Sequence, residues 1–278
     1  MSSQYMRTIN KHIIIEKRKW LIAAICLQFA IFNSPLGPLG SLLKHNASVC
    51  MAQSSDFGMW YELGAEKKFT RWFSVGAETE FRTRNNTRTA DRWSAGVNAE
   101  FRIIKGLKAS AGYTFLYNNN PEEVSLKSDN VRINKWRPSY WGVKHRVNVS
   151  LVGSLNISRL NISLRERWQF THRPSVDNKK YDVDEMTWSA VKMKNKHILR
   201  SRLQLSYDFP HWKFDPFANV ELFNGWALEK VRFQVGVEYK YHKKHTFQLT
   251  YRYQDVRDDD DDGDANSHLV GLSYKFKF

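Results

Sequence analysis

The chain has two cysteines, Cys26 and Cys50, and both fall within its first 52 residues. Residues 53–278 therefore have no disulfide framework, no thiolate nucleophile and no cysteine metal ligand. Long apolar runs are lacking too. The stretch Trp20–Phe32 is 13 residues long, too short for a membrane-spanning helix. A mean hydropathy of −0.57 excludes a bundle of such helices. No glycine motif of the kind that cradles phosphate occurs, and the histidines have no ligand spacing. Acidic residues are in the minority, with 28 Asp and Glu against 43 Lys and Arg and a net charge of +15. A basic balance raises nucleic-acid binding, but the cations are spread along the chain rather than gathered in one patch. Aromatic residues, by contrast, are abundant at 14%, which suits a protein with many residues at a lipid–water boundary.

The pattern of the rest is alternation with a period of two. His268–Phe278 reads HLVGLSYKFKF, with His268, Val270, Leu272, Tyr274, Phe276 and Phe278 on one face. Such a period marks a β-strand with one apolar and one wet side. An amphipathic strand at the end of a chain leaves an open edge, and closing a barrel removes it. The same period recurs from Phe57 onward. Met59, Tyr61, Leu63 and Ala65 form one apolar face, Phe73, Val75, Ala77 and Phe81 a second, and Trp93, Ala95, Val97, Ala99 and Phe101 a third. Leu107–Phe115, His145–Leu155, Leu160–Phe170, Leu199–Tyr207, Val231–Tyr239 and Phe247–Tyr253 continue the series. Phe214–Phe223 is ambiguous, because Pro216, Ala218, Val220 and Leu222 compete with Phe217 and Phe223 for the apolar face.

Eleven segments can be counted. Short connections such as 70–72, 104–106 and 241–244 alternate with long ones such as 118–143, 172–195 and 255–266. That is the layout of a barrel with tight turns on one side of a membrane and longer loops on the other. Bacterial single-chain barrels have an even number of strands, so the expectation is an all-β, transmembrane, antiparallel up-and-down β-barrel of 10–12 strands. It would follow an N-terminal signal peptide. Residues 1–52 read as that leader, with basic Lys11–Lys19 ahead of the apolar Trp20–Phe32, and residues 53–278 as the barrel. Lys127–Trp141 is the place where a further strand could hide.

Trp60, the run Glu66-Lys67-Lys68-Phe69 and the run Glu78-Thr79-Glu80-Phe81-Arg82 resemble the opening of a family of Bacteroidetes outer-membrane β-barrels classed as a domain of unknown function. Arg165-Glu166-Arg167 and Tyr251-Arg252-Tyr253 fit its later strands. The terminal strand ending in Phe also resembles the closing strand of bacterial outer-membrane barrels, which serves as an insertion signal. The resemblance implies a bacterial outer-membrane location, and as partners the membrane lipid and the barrel-insertion machinery. It implies no activity. No cofactor, metal or nucleic-acid partner is expected, and the oligomeric state is open.

Alternation places Glu78, Glu80, Arg82, Glu100, Arg102, Arg165, Arg167, Arg200, Arg202, Glu238, Lys240 and Arg252 toward the lumen, with the facing of Glu221 open. Buried charges have to be paired. The expectation is a lumen largely filled by Glu–Arg pairs, with Glu78, Glu80 and Glu100 reaching Arg165, Arg167, Arg200 and Arg202 on the opposite wall. That describes a non-enzymatic barrel with a structural or surface-interaction role. A charged constriction that selects solutes is the alternative, and a rim-active lipid hydrolase built on Ser267-His268 or His145–Ser150 a more distant one. The acidic loop Asp258–Asp264 reads as solvated rather than as a calcium cage. Trp72, Trp212 and Tyr241 are expected at the periplasmic interface, and Trp93, Tyr117 and Trp168 toward the outer one.

Overall fold

A computed structural model describes residues 56–128, 131–242, 244–257 and 266–278. The leader and the acidic loop Asp258–Asp264 lie outside these. The described chain forms fifteen β-strands. They are β1 (Asp56–Lys68), β2 (Phe73–Arg84), β3 (Thr89–Ile104), β4 (Leu107–Asn120), β5 (Glu123–Leu126), β6 (Ile133–Arg137), β7 (Tyr140–Ile157) and β8 (Leu160–Arg173). There follow β9 (Val176–Asp182), β10 (Thr187–Val191), β11 (Lys194–Tyr207), β12 (Phe214–Asn224), β13 (Leu228–Tyr241), β14 (His245–Val256) and β15 (Ser267–Lys277).

Eleven of them close a barrel in the order β1-β15-β14-β13-β12-β11-β8-β7-β4-β3-β2. Each apolar/polar alternation becomes one outward and one inward row, because successive side chains point to opposite sides of a strand. Tyr61, Leu63, Trp93, Val97, Val149, Val235 and Leu249 are exposed on the outside. Neighbours within the barrel are antiparallel except at the seam. There β1 runs parallel to β15, from Asp56 opposite Ser267 to Glu66 opposite Lys277. This is how eleven strands close: an antiparallel seam needs an even count, and a parallel pair absorbs the odd strand. The Phe278 N–H extends the seam by donating to the Glu66 carbonyl at 2.9 Å.

The turns on one side are tight. Gly106 turns β3 into β4 at φ +91°, and a Cβ there would meet the Ser154 carbonyl oxygen at 2.7 Å. A glycine is therefore required on both counts. On the other side, two long connections are built rather than loose. β5, β6, β9 and β10 pair into a separate four-stranded sheet in the order β10-β9-β6-β5. Its strands are polar, and β5 and β10 are exposed along almost their whole length, so no apolar face announces them. A small cluster holds the sheet. Trp188 packs on Trp136 and Tyr181, with ring centroids 6.0 and 5.2 Å away. The Trp136 indole donates to Glu122 at 2.6 Å, and Lys127 pairs with Asp184. The strand suspected within 127–141 is thus real as β6, but it belongs to this outer sheet and adds nothing to the barrel count.

Candidate functional site in the barrel lumen

A cavity of about 690 Å³ occupies the lumen, and every strand of the barrel contributes to its lining. Six glutamates line it: Glu62, Glu66, Glu78, Glu80, Glu100 and Glu221. Fourteen lysines and arginines face them, an excess of eight positive charges. Many of the guanidinium groups are held by neutral acceptors. Arg92 donates to Asn118 at 3.0 Å, Arg167 to Ser150 at 2.8 Å, Arg232 to Gln254 at 2.8 Å and Arg252 to Gln234 at 3.1 Å. Amides and hydroxyls orient a guanidinium without cancelling its charge, so the lumen stays positive.

The densest part centres on Glu221. The register of β12 settles its facing. Phe217, Asn219, Glu221 and Phe223 are buried in the lumen, and Pro216, Ala218, Val220 and Leu222 form the outward row. Arg200 of β11 grips the Glu221 carboxylate as a fork, with Nε donating to Oε1 at 3.2 Å and Nη2 to Oε2 at 3.1 Å. Its Nη1 donates to Gln169 at 2.9 Å. Arg165 of β8 donates to the same carboxylate, and Arg232 of β13 stands 3.6 Å away. Two rings flank the cluster. Phe223 has Arg200 at 4.5 Å and Arg232 at 4.9 Å from its centroid. Trp60 of β1 has Arg82 at 3.3 Å and Arg252 at 3.9 Å. Guanidinium planes stacked on aromatic faces lose freedom and are fixed in direction.

The expected pairing across the lumen differs from the one observed. Arg165 and Arg200 meet Glu221, two or fewer strands away, and not Glu78, Glu80 or Glu100. Glu80 pairs with Arg82 on its own strand at 2.6 Å, Glu100 with Lys108 of the next strand at 2.7 Å, and Glu78 lines the cavity. The reason is reach: neighbouring inward positions lie closer than opposite walls in a barrel this wide. Arg202 also lines the cavity, Glu238 lines a second one of about 260 Å³ nearer the tight turns, and Lys240 bridges Asp215 and Glu238 at 2.8 Å each. Arg102 is exposed at the end of β3, outside the cavity. Arg146, Arg232, Lys230 and Glu62 escaped the sequence reading, and Trp60, named there for the family resemblance, was not placed in the lumen. For Arg232 the signal was present, since Val231 and Phe233 are outward and force it inward.

The outer face of the wall is largely apolar, and Glu166 interrupts it. Glu166 is in the outward row of β8, between Leu164 and Trp168, and opposite Leu151 of β7 and Ser201 of β11. The Ser201 hydroxyl donates to it at 2.7 Å. Trp72 and Trp212 lie in the tight turns and Tyr241 at the tight-turn end of β13, all exposed. Trp93 and Tyr117 are opposite each other toward the rim of the long connections, and Trp168 is five residues from the end of β8 on that same side. The Ser/His pairs considered for hydrolysis are split by the wall. His145 faces out and shares a hydrogen bond with Tyr113 at 2.7 Å, whereas Ser150 faces in toward Arg167. His268 faces out to Tyr251 at 2.6 Å, and the preceding Ser267 is on the other side.

A family model described as "Protein of unknown function (DUF2490)" matches residues 57–265. The chain belongs to this family. The DUF2490 chain matches none of the curated proteins. Among solved structures it is similar to the β domain of the Bordetella autotransporter BrkA, at 10% identity and a TM-score of 0.45, over 73% of this chain and 78% of that one. It is also similar to the NanC porin, at 14% identity and 0.43, over 79% and 95%. A third is the KdgM porin in complex with disordered oligogalacturonate, at 12% identity and 0.41, over 72% and 91%. These are named as an autotransporter β domain and two porins, and the described residues of this chain form a closed β-barrel of eleven strands.

Proposed function

We propose that the protein is a non-enzymatic outer-membrane barrel whose water-filled lumen passes small anions. One observation carries this reading: the excess of eight positive charges lining a cavity that all eleven strands share. Charges left unpaired in a dry interior cost several kcal/mol each. A lumen with more cations than carboxylates is therefore held open to water and counter-anions, and a ring of like charge at a constriction selects the opposite sign. The lipid and the insertion machinery are the partners that the outer face and the terminal strand imply.

The second reading is a structural or surface-interaction barrel with a charge-paired, largely filled lumen. The grip of three arginines on Glu221 and the built outer sheet of β5, β6, β9 and β10 favour it. Purified protein in a planar bilayer under a potassium chloride gradient separates the two. Steady current with a reversal potential on the chloride side supports the anion path. A silent membrane containing folded protein supports the filled lumen.

A further inference from the structure

Glu221 is an anion that the protein supplies to its own anion site. Its carboxylate is held by the Arg200 fork, by Arg165 and by Arg232, from three different strands. The donors around it outnumber the acceptors. Arg165 Nε, Arg202 Nε, Arg232 Nε, Arg252 Nη1 and the Trp60 indole Nε1 are all buried without a hydrogen-bond partner among the described residues. All five residues line the same cavity. A guanidinium presents five N–H donors, and one carboxylate offers about four lone-pair positions. Glu221 alone cannot satisfy this set, and buried donors without acceptors are costly.

From this geometry we infer that the arginine cluster is a binding site for carboxylate-bearing solutes, in which Glu221 is the resident occupant that an arriving carboxylate displaces. The inference rests on the reading of the lumen as an anion path. The class follows from shape. A planar two-oxygen anion fits the guanidinium fork in two parallel hydrogen bonds, and the site already holds one in that manner. Chloride engages donors one at a time and gains nothing from the fork. Phe223 and Trp60 hold the guanidinium planes in place, so little order has to be imposed when the solute arrives. Arg202 and the free edge of Arg165 meet the solute first. Its second oxygen then competes with Glu221 for Arg200, and release of the solute lets Glu221 return.

The test is block of the chloride current in planar bilayers by D-glucuronate, with D-glucose and inorganic phosphate as controls. Glucuronate is expected to block with a half-saturation on the order of millimolar, as suits a transit site. Glucose is expected to have no effect and phosphate a weaker one. Arg202→Gln breaks no bond to Glu221 and is expected to raise the half-blocking concentration about tenfold, the loss of one charge-assisted hydrogen bond. Glu221→Gln removes the competitor and is expected to lower it by a similar factor. Heat-modifiable gel mobility confirms that each variant is folded, and Arg202→Gln suffices if Glu221→Gln fails to insert. Equal action of glucuronate and glucose on a conducting barrel overturns the inference and leaves the anion path standing. So does an Arg202→Gln variant with an unchanged half-block, and stronger block by phosphate overturns the carboxylate class. A folded barrel without current fails the anion path itself.

Discussion

The two walls of the lumen are built on different plans. Strands β1, β2 and β3 carry five of the six cavity glutamates, Glu62, Glu66, Glu78, Glu80 and Glu100. The facing strands β7, β8, β11 and β13 carry Arg146, Arg165, Arg167, Lys196, Arg200, Arg202, Lys230 and Arg232; the carboxylate that lines the cavity in their midst is Glu221 on β12, and Lys196 pairs with Glu229 of β13 at 3.0 Å. The acidic wall pairs locally, as in Glu80 with Arg82 and Glu66 with Lys275. On the basic wall several arginines share one partner and lean on amides, hydroxyls and rings for the rest. The difference teaches that interior charge in a barrel of this width is balanced along the wall, between neighbouring strands, and that the surplus faces the water between the walls.

The largest effect is expected at Glu221, the carboxylate that the basic wall shares among three arginines. Glu221→Gln removes the shared partner of three arginines and is expected to cost about 3–5 kcal/mol of stability, read by urea unfolding of the barrel in lipid vesicles. A cost no greater than that of Glu78→Gln would erase the contrast between the walls. The next effect should be blind to it. Val97→Arg lies outside the acidic wall and Val235→Arg outside the basic one, and both are lipid-exposed. Each is expected to cost about 2–4 kcal/mol near the bilayer midplane. Unequal costs would show that the difference between the walls extends through the sheet.

A smaller effect, of opposite sign, is expected at Glu166. Its outward position sets a carboxyl against lipid with Ser201 as its one donor among the described residues. Replacement by leucine is expected to stabilise the barrel by about 1–2 kcal/mol, less than the penalty for a cation at that depth. A loss of stability instead would mean that the carboxyl has a partner in the membrane. The smallest effect belongs to the acidic wall. Glu78→Gln is expected to change stability by less than about 1 kcal/mol, the range of pairs that water reaches.

Much of the barrel was legible in the sequence because a period of two survives translation into structure unchanged. The outward rows of β3, β13, β14 and β15 follow directly from Val97, Val235, Leu249 and Val270. The facing of β12 was not legible, because Phe217 and Phe223 put aromatic rings into a polar lumen, where Phe223 stacks on guanidinium groups. The hub residue Glu221 was hidden by that ambiguity. The partners of Arg165 and Arg200 were hidden by something else: pairing depends on how strands are staggered around the barrel, and stagger leaves no mark on a single strand. The outer sheet went unread because β5, β6, β9 and β10 have no face to bury. The count of eleven was visible from the segments, and only the rule of even numbers argued against it.

The parallel seam between β1 and β15 has a topological consequence. A chain that crosses a membrane an odd number of times begins and ends its crossings on opposite sides. Asp56 therefore sits at the rim of the long connections, beside the backbone of Asn85 and Asn86 that donates to its carboxylate at 2.8 and 3.1 Å, and Phe278 sits at the rim of the tight turns, the side that the outer-membrane reading sets in the periplasm. During assembly the last strand can stay where it entered, but the start of the first strand has to be carried through the membrane before the two can zip together. An epitope inserted ahead of Asp56 is accordingly expected to be reached by antibody on intact cells, whereas one placed after Phe278 is expected to be reached only once the outer membrane has been opened.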